Sequence, residues 1–189
     1  MQTVTSIAPG VARALPETDW VWLRDGTPVY IRPVQPADLD LERRFVHGLS
    51  RETAYQRLMS GRNPLPGELE RWTAIDHSRE IALIAVATVH GVEQQLGVAR
   101  CVRDDADPRV CDFAIVIGDE WQYRGLGRAL LRGLMRAATE AGVEVLSGIT
   151  LSTNHPMLAL AHKLGFRACR ESGDATVTRI EMRLAGGDG

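Results

Sequence analysis

The chain has 189 residues, 44% of them hydrophobic and 24% charged, which fits one ordinary globular core and excludes a disordered or membrane-embedded chain. Its formal charge of −2 provides no net basic field, so neither nucleic acid nor an anionic membrane surface is expected as a partner. The three cysteines, with no CxxC pair, form neither a disulfide framework nor a zinc site; Cys101, Cys111 and Cys169 read as small buried side chains in a reducing cytoplasm.

Residues 1–19 mix Pro, Gly, Ala and Thr without a period and read as a mobile arm. No basic region leads into an apolar run, and no stretch reaches the ~20 apolar residues that span a bilayer, so neither export nor membrane anchoring is expected. The domain is expected over residues 20–185, with 186–189 a tail. Short apolar runs at 21–23 and 29–31 flank Asp25-Gly26, a hairpin signal. Pro33 and Pro36 break the strand. Leu39, Leu41, Phe45, Val46 and Leu49 then form a helical stripe, and Ser50 can cap a second helix carrying Tyr55, Leu58 and Met59.

Beyond the turn-rich stretch 61–67, Leu69, Trp72 and Ile75 mark a short helix. The run 81–89 is almost wholly apolar, the pattern of a strand buried on both faces, with 95–102 as its hairpin partner across a break at 91–94. A further strand is expected at 110–117. The period then changes: Leu126, Leu130, Leu131, Leu134, Met135 and Ala138 share one helical face, Arg128, Arg132 and Arg136 lie on the opposite, solvated one, and Gly142 ends the helix. A strand near 145–150, a helix near 156–164 and a final pair of strands reaching Leu184 complete the order. Trp20, Trp22, Trp72 and Trp121 read as packing residues, and His155 and His162 as surface or helix-packing residues rather than metal ligands. No metal site is expected.

The informative segment runs from Ile115, Val116 and Ile117 through Gln122-Tyr123-Arg124-Gly125-Leu126-Gly127-Arg128, a glycine-containing turn between a buried strand and a helix. Backbone N–H groups at a helix start lack intrahelical partners and sit at the positive end of the macrodipole, so an anion is favoured there. Gly125 and Gly127 let phosphate oxygens approach the backbone. Neither GxxxxGK[ST] nor an early GxGxxG is present, which argues against a nucleoside triphosphate or nicotinamide cofactor.

This segment resembles the Q/R-x-x-G-x-G/A signature of the GNAT acetyltransferase superfamily. Asn154-His155-Pro156-Met157 followed by Lys163-Leu164-Gly165-Phe166 resembles the superfamily's second signature. Arg24-Asp25-Gly26-Thr27, Ile31-Arg32-Pro33, Leu49-Ser50 before Thr53 and Tyr55, Ile75-Asp76, Arg79-Glu80, and Asp112-Phe113-Ala114 are similar to the acetyltransferase domain of bacterial protein-lysine acetyltransferases of the Pat type. Those enzymes often carry an additional nucleotide-binding or acyl-CoA-synthetase-like domain; none is expected within these 189 residues.

The resemblance implies an α+β fold with a mixed, mostly antiparallel sheet flanked by helices and splayed near Val116. It implies acetyl-CoA as cosubstrate, held by residues 115–117, by 122–128 and by Asn154, and no metal. Acetyl transfer to a primary amine is the expected reaction, with a protein substrate bearing an exposed lysine, such as an acyl-CoA synthetase-like protein, as the preferred acceptor. A small amine such as a polyamine or aminoglycoside, or a non-catalytic acetyl-CoA sensing module, are the alternatives. The family's strand glutamate corresponds to Asp112 as general base, with Glu120 as backup. Where many relatives carry a tyrosine general acid, this chain has Ala161.

Overall fold

The computed structural model describes residues 19–58, 64–65, 67–170 and 174–184. The expected arm before Asp19, Met59, residues 61–63 and the tail 186–189 lie outside that set.

β1 (Asp19–Trp22) and β2 (Pro28–Pro33) form the first hairpin, whose turn places Gly26 at φ 83°. After a 3-10 turn at Pro36–Asp38 come α1 (Leu39–Gly48), α2 (Arg51–Leu58) and α3 (Glu68–Thr73). β3 (Glu80–Val89), β4 (Val92–Arg103) and β5 (Val110–Ile117) then run antiparallel in succession. α4 (Leu126–Glu140), β6 (Val145–Leu151), α5 (His155–Lys163), β7 (Arg167–Arg170) and β8 (Val177–Arg183) complete the chain. One eight-stranded sheet results, in the order β1-β2-β3-β4-β5-β6-β8-β7, and β5–β6 is its parallel pair.

The β3–β4 hairpin turns earlier than its composition implies. His90 and Gly91 both have positive φ, 51° and 80°, giving a two-residue turn whose twist suits a hairpin, so the polar residues Glu93 and Gln94 extend the strand into solvent instead of breaking it.

Two cores flank the sheet. On one face Leu83, Ala85, Ala99, Cys101, Cys111 and Phe113 pack under Leu126, Leu130, Leu131 and Leu134 of α4 and Ala161 of α5. On the other, Ala82, Ile84, Val98 and Val116 pack under Leu41, Phe45 and Val46 of α1, with Trp72 of α3 alongside. Residues 82–87 are buried throughout because β3 is covered on both sides, as its unbroken apolar run requires.

The helix ends follow their glycines. Gly142 (φ 73°) donates to the Thr139 carbonyl and Val143 to that of Ala138; Gly165 (φ 92°) and Phe166 repeat the pattern on His162 and Ala161. Phe166, delivered by the second of these caps, lies 5.2 Å from Phe113, ring centroid to centroid. Two sequence expectations need correction. Trp20 and Trp22, on the edge strand β1, are 67% and 73% exposed, and Trp20 keeps one ring contact, 5.0 Å from Tyr30. Cys169, on the opposite edge strand, is exposed rather than buried.

Candidate functional site

β5 and β6 pair only over Val110–Val145, Cys111–Leu146 and Asp112–Ser147, although both continue, to Ile117 and Leu151. Beyond that point β5 runs on into the loop that leads to α4, whose first residue, Leu126, is buried in the core. Gly148 sits where the gap opens: a Cβ there would lie 2.9 Å from a Phe113 ring carbon and 3.0 Å from the Phe113 carbonyl oxygen, so the strand has no room for a side chain at this point. The gap is continuous with a cavity of about 800 Å³. Its walls are Phe113 through Ile117 on one side and Gly148, Ile149 and Thr150 on the other.

The loop that leads from β5 into α4 forms a cradle along the cavity, with the chemistry to hold an anion. A 3-10 turn at Asp119–Trp121 leads into Tyr123 (φ 60°) and Gly125 (φ 97°), the residue that caps α4. The Gly125 carbonyl accepts the first helical bond from Ala129, leaving the amides ahead of it without intrahelical partners. A Cβ on Gly127 would fall 3.2 Å from Leu160 Cδ2 of α5, so the two helices meet closely at this glycine. Arg24, Arg128 and Lys163 line the same region, so the dipole's positive end is reinforced by cations. Asn154 lines the wall and caps α5, accepting a hydrogen bond from the Met157 amide at 3.1 Å.

Glu52, Thr53 and Gln56 of α2 also line the cavity, and α2 is tied to the cradle loop through Asp119. The Asp119 carboxylate accepts from the Ser50 amide (2.9 Å), the Ser50 hydroxyl (2.7 Å) and the Thr53 hydroxyl (2.7 Å). Partial burial acts to raise its pKa, but the bonds from Ser50 and Thr53 outweigh that and hold it below the usual carboxylate value. Ser50 also caps α2, its hydroxyl accepting from the Thr53 amide at 3.2 Å. Gln122 donates to the Ile117 carbonyl and the Thr53 hydroxyl, both at 3.3 Å, and so spans strand, loop and helix.

Of the residues singled out in the sequence, Ile115, Val116, Ile117, Gln122, Tyr123, Gly125, Gly127, Arg128 and Asn154 line this cavity. Two neighbours do not. The Arg124 side chain is held by Asp25 at 2.7 Å and lies 4.8 Å from the Trp121 ring centre, while Leu126 is in the core. Asp112 shares the strand face of Ala114 and Val116 but is exposed at the paired end of β5, one residue before the first lining residue, Phe113. Glu120 is exposed on the loop, also outside the lining. Arg24, Glu52, Gln56 and Lys163 belong to the cavity without having been singled out. They come from three separate elements whose meeting no local pattern encodes, although Arg24 and Lys163 stand inside recognised motifs. His155 and His162 are exposed on α5.

With this geometry established, comparison with known proteins gives a consistent answer. The sequence profile of the acetyltransferase (GNAT) domain matches residues 29–167. The chain is 30% identical over 188 residues to an acetyltransferase of Pseudomonas aeruginosa, covering 98% of this chain and 100% of that one. It is 28% identical over 162 residues to the acetyltransferase Pat of Mycolicibacterium smegmatis, covering 86% of this chain and 48% of that protein, and so spans about half its length. The crystal structure of the GNAT domain of S. lividans PAT superposes with a TM-score of 0.79, covering 88% of this chain and 97% of that one at 24% identity, a likeness of fold.

Proposed function

The chain belongs to the GNAT acetyltransferase family, and from that premise we propose that it transfers the acetyl group of acetyl-CoA to a lysine side chain of a protein. The observation that carries this reading is the parting of β5 from β6 beyond Asp112 and Ser147, which opens one cavity between an anion cradle and α2. The cradle suits the coenzyme's diphosphate, and the gap suits the pantetheine arm, with Asn154 beside it. The α2 end remains for the amine. A similarity to Pat favours a protein acceptor over a free metabolite.

Lysine must lose a proton before it can attack a thioester, which costs roughly 4.6 kcal/mol at pH 7 from a reference pKa near 10.4. In this reading Asp112 takes that proton through a water, since its strand face leads to Ala114 and Val116. A backbone N–H near Val116 or Ile117 stabilises the oxygen as charge builds on it. With Ala161 in place of a tyrosine, water protonates the departing thiolate. A second reading has its own support: Glu52 lines the cavity whereas Asp112 and Glu120 do not, which makes Glu52 the alternative base.

Release of coenzyme A thiol from acetyl-CoA, measured with acyl-CoA synthetase proteins, lysine peptides, polyamines and aminoglycosides, tests the proposal. Asp112→Ala is expected to lower kcat on a protein acceptor by about a hundred-fold or more while acetyl-CoA binding is retained. Loss of that size in Glu52→Gln, with Asp112→Ala active, transfers the role to Glu52. Turnover confined to small amines replaces the protein acceptor, and binding without turnover on any acceptor makes the chain an acetyl-CoA sensor.

A further inference from the structure

The first hairpin does more than close the edge of the sheet: its turn is docked on the anion cradle. The Arg24 amide donates to the Arg124 carbonyl at 3.1 Å, and the Asp25 carboxylate grips the Arg124 guanidinium at 2.7 Å. Asp25 is itself fixed by the Thr27 amide at 3.0 Å, and Arg124 is sandwiched against Trp121. The motif arginine nearest the cradle is therefore neutralised by Asp25 and turned away from the cavity. Its neighbour across the dock does the reverse. Arg24 lines the cavity, and its Cγ stands 3.9 Å from where a Cβ on Gly125 would be, directly over the residue that caps α4. Among the described residues Arg24 has no carboxylate within ion-pair distance, so its charge is not spent inside the protein.

We propose that Arg24 is a coenzyme-binding residue that contacts the diphosphate, delivered to the α4 N-terminus by the β1–β2 turn and replacing Arg124 in that role. A planar guanidinium suits two adjacent phosphate oxygens, and the helix amides leave the outer side of the anion open to it. The Asp25–Arg124 pair then acts as the pin that sets Arg24 in place. The assignment rests on reading the groove as the acetyl-CoA site.

Calorimetric titration of the full chain with coenzyme A and with 3′-dephospho-coenzyme A tests it without any knowledge of the acceptor. Arg24→Ala is expected to weaken both ligands by the same factor, about ten-fold, as one charge-assisted contact would. The difference should shrink sharply between about 0.05 M and about 1 M salt, where the Debye length falls to ~3 Å. Arg24→Gln, which keeps the side-chain stem, should match Arg24→Ala, and Arg24→Lys should recover part of the loss. A loss confined to coenzyme A would move Arg24 to the 3′-phosphate and overturn the assignment. Unchanged affinity in both neutral variants, or a loss that persists undiminished at high salt, overturns it as well. Failure of the unaltered protein to bind coenzyme A sinks instead the reading of the groove, and this assignment with it.

Discussion

At the scale of single residues, the two strand cysteines and the edge-strand cysteine differ in a way that their identical chemistry conceals. Cys101 and Cys111 face the same core from β4 and β5, and a hydrogen bond to Cys111, followed by burial, pushes the Cys101 thiol far above its ordinary pKa. Thiolate, not thiol, reacts, so Cys101 is inert at neutral pH, whereas Cys169 is exposed. A disulfide reagent at pH 7.5 (roughly one unit below a free thiol's pKa) should modify Cys169 quickly in the native protein and all three cysteines only after denaturation. Rapid modification of Cys101 or Cys111, read by mass spectrometry, would show that the β4–β5 core opens. The sequence treats the three alike because residue type carries a burial tendency but not a strand's place in the sheet. Trp20 and Trp22 mislead for the same reason: large aromatic side chains usually pack, whereas these two stand exposed on the edge strand β1.

At the scale of elements, Asp119 joins α2 to the cradle loop, and its charge is what makes the joint. Because its folded pKa lies below the unfolded value, the charge contributes stability that is fully present above the ordinary carboxylate range and is lost as pH falls through the depressed pKa. Asp119→Asn keeps the size and one acceptor but removes the charge. The expected cost is about 1–2 kcal/mol at pH 7, a fall in Tm of about 2–8 °C. That difference from the unaltered protein should close as pH drops below about 3.9. A gap that stays constant down to pH ~3 would mean that the carboxylate's charge plays no part. Loosening α2 should also raise KM for the acceptor more than for acetyl-CoA, since Glu52 and Gln56 ride on the same helix. Elements of this kind were largely legible: the apolar run of β3, the leucine face of α4, and Gly142 and Gly165 as helix stops each follow from local physics. The Ser50–Asp119 joint was not, because its partners stand 69 residues apart and neither is unusual where it stands.

At the scale of the molecule, the sheet is held together unevenly. β1 to β5 form one antiparallel run, β6 to β8 another, and only three residue pairs of parallel ladder connect them. Further connection comes from the Phe113–Phe166 contact, from the Glu144 and Val145 amides that donate to the Arg109 carbonyl, and from α5 packed against Gly127 at the cradle. A ligand that fills the gap between residues 113–117 and 148–150 touches both runs at once, and in the unfolded chain neither surface exists. Binding therefore stabilises the whole fold by mass action, by about 2.7 kcal/mol at a hundred-fold excess over Kd, or about 5–11 °C in Tm for a chain of this length. The gain should also have an address. Amide hydrogen exchange is expected to slow in residues 114–117 and 148–151, where the ladder is interrupted, and in 122–128 at the cradle, with little change in the β1–β4 core, which is protected already. Protection of 122–128 alone would mean that the coenzyme's phosphates dock without its acyl arm entering the sheet. The splay would then be a structural seam, and the acceptor would have to reach the acetyl group somewhere other than the α2 end of the cavity.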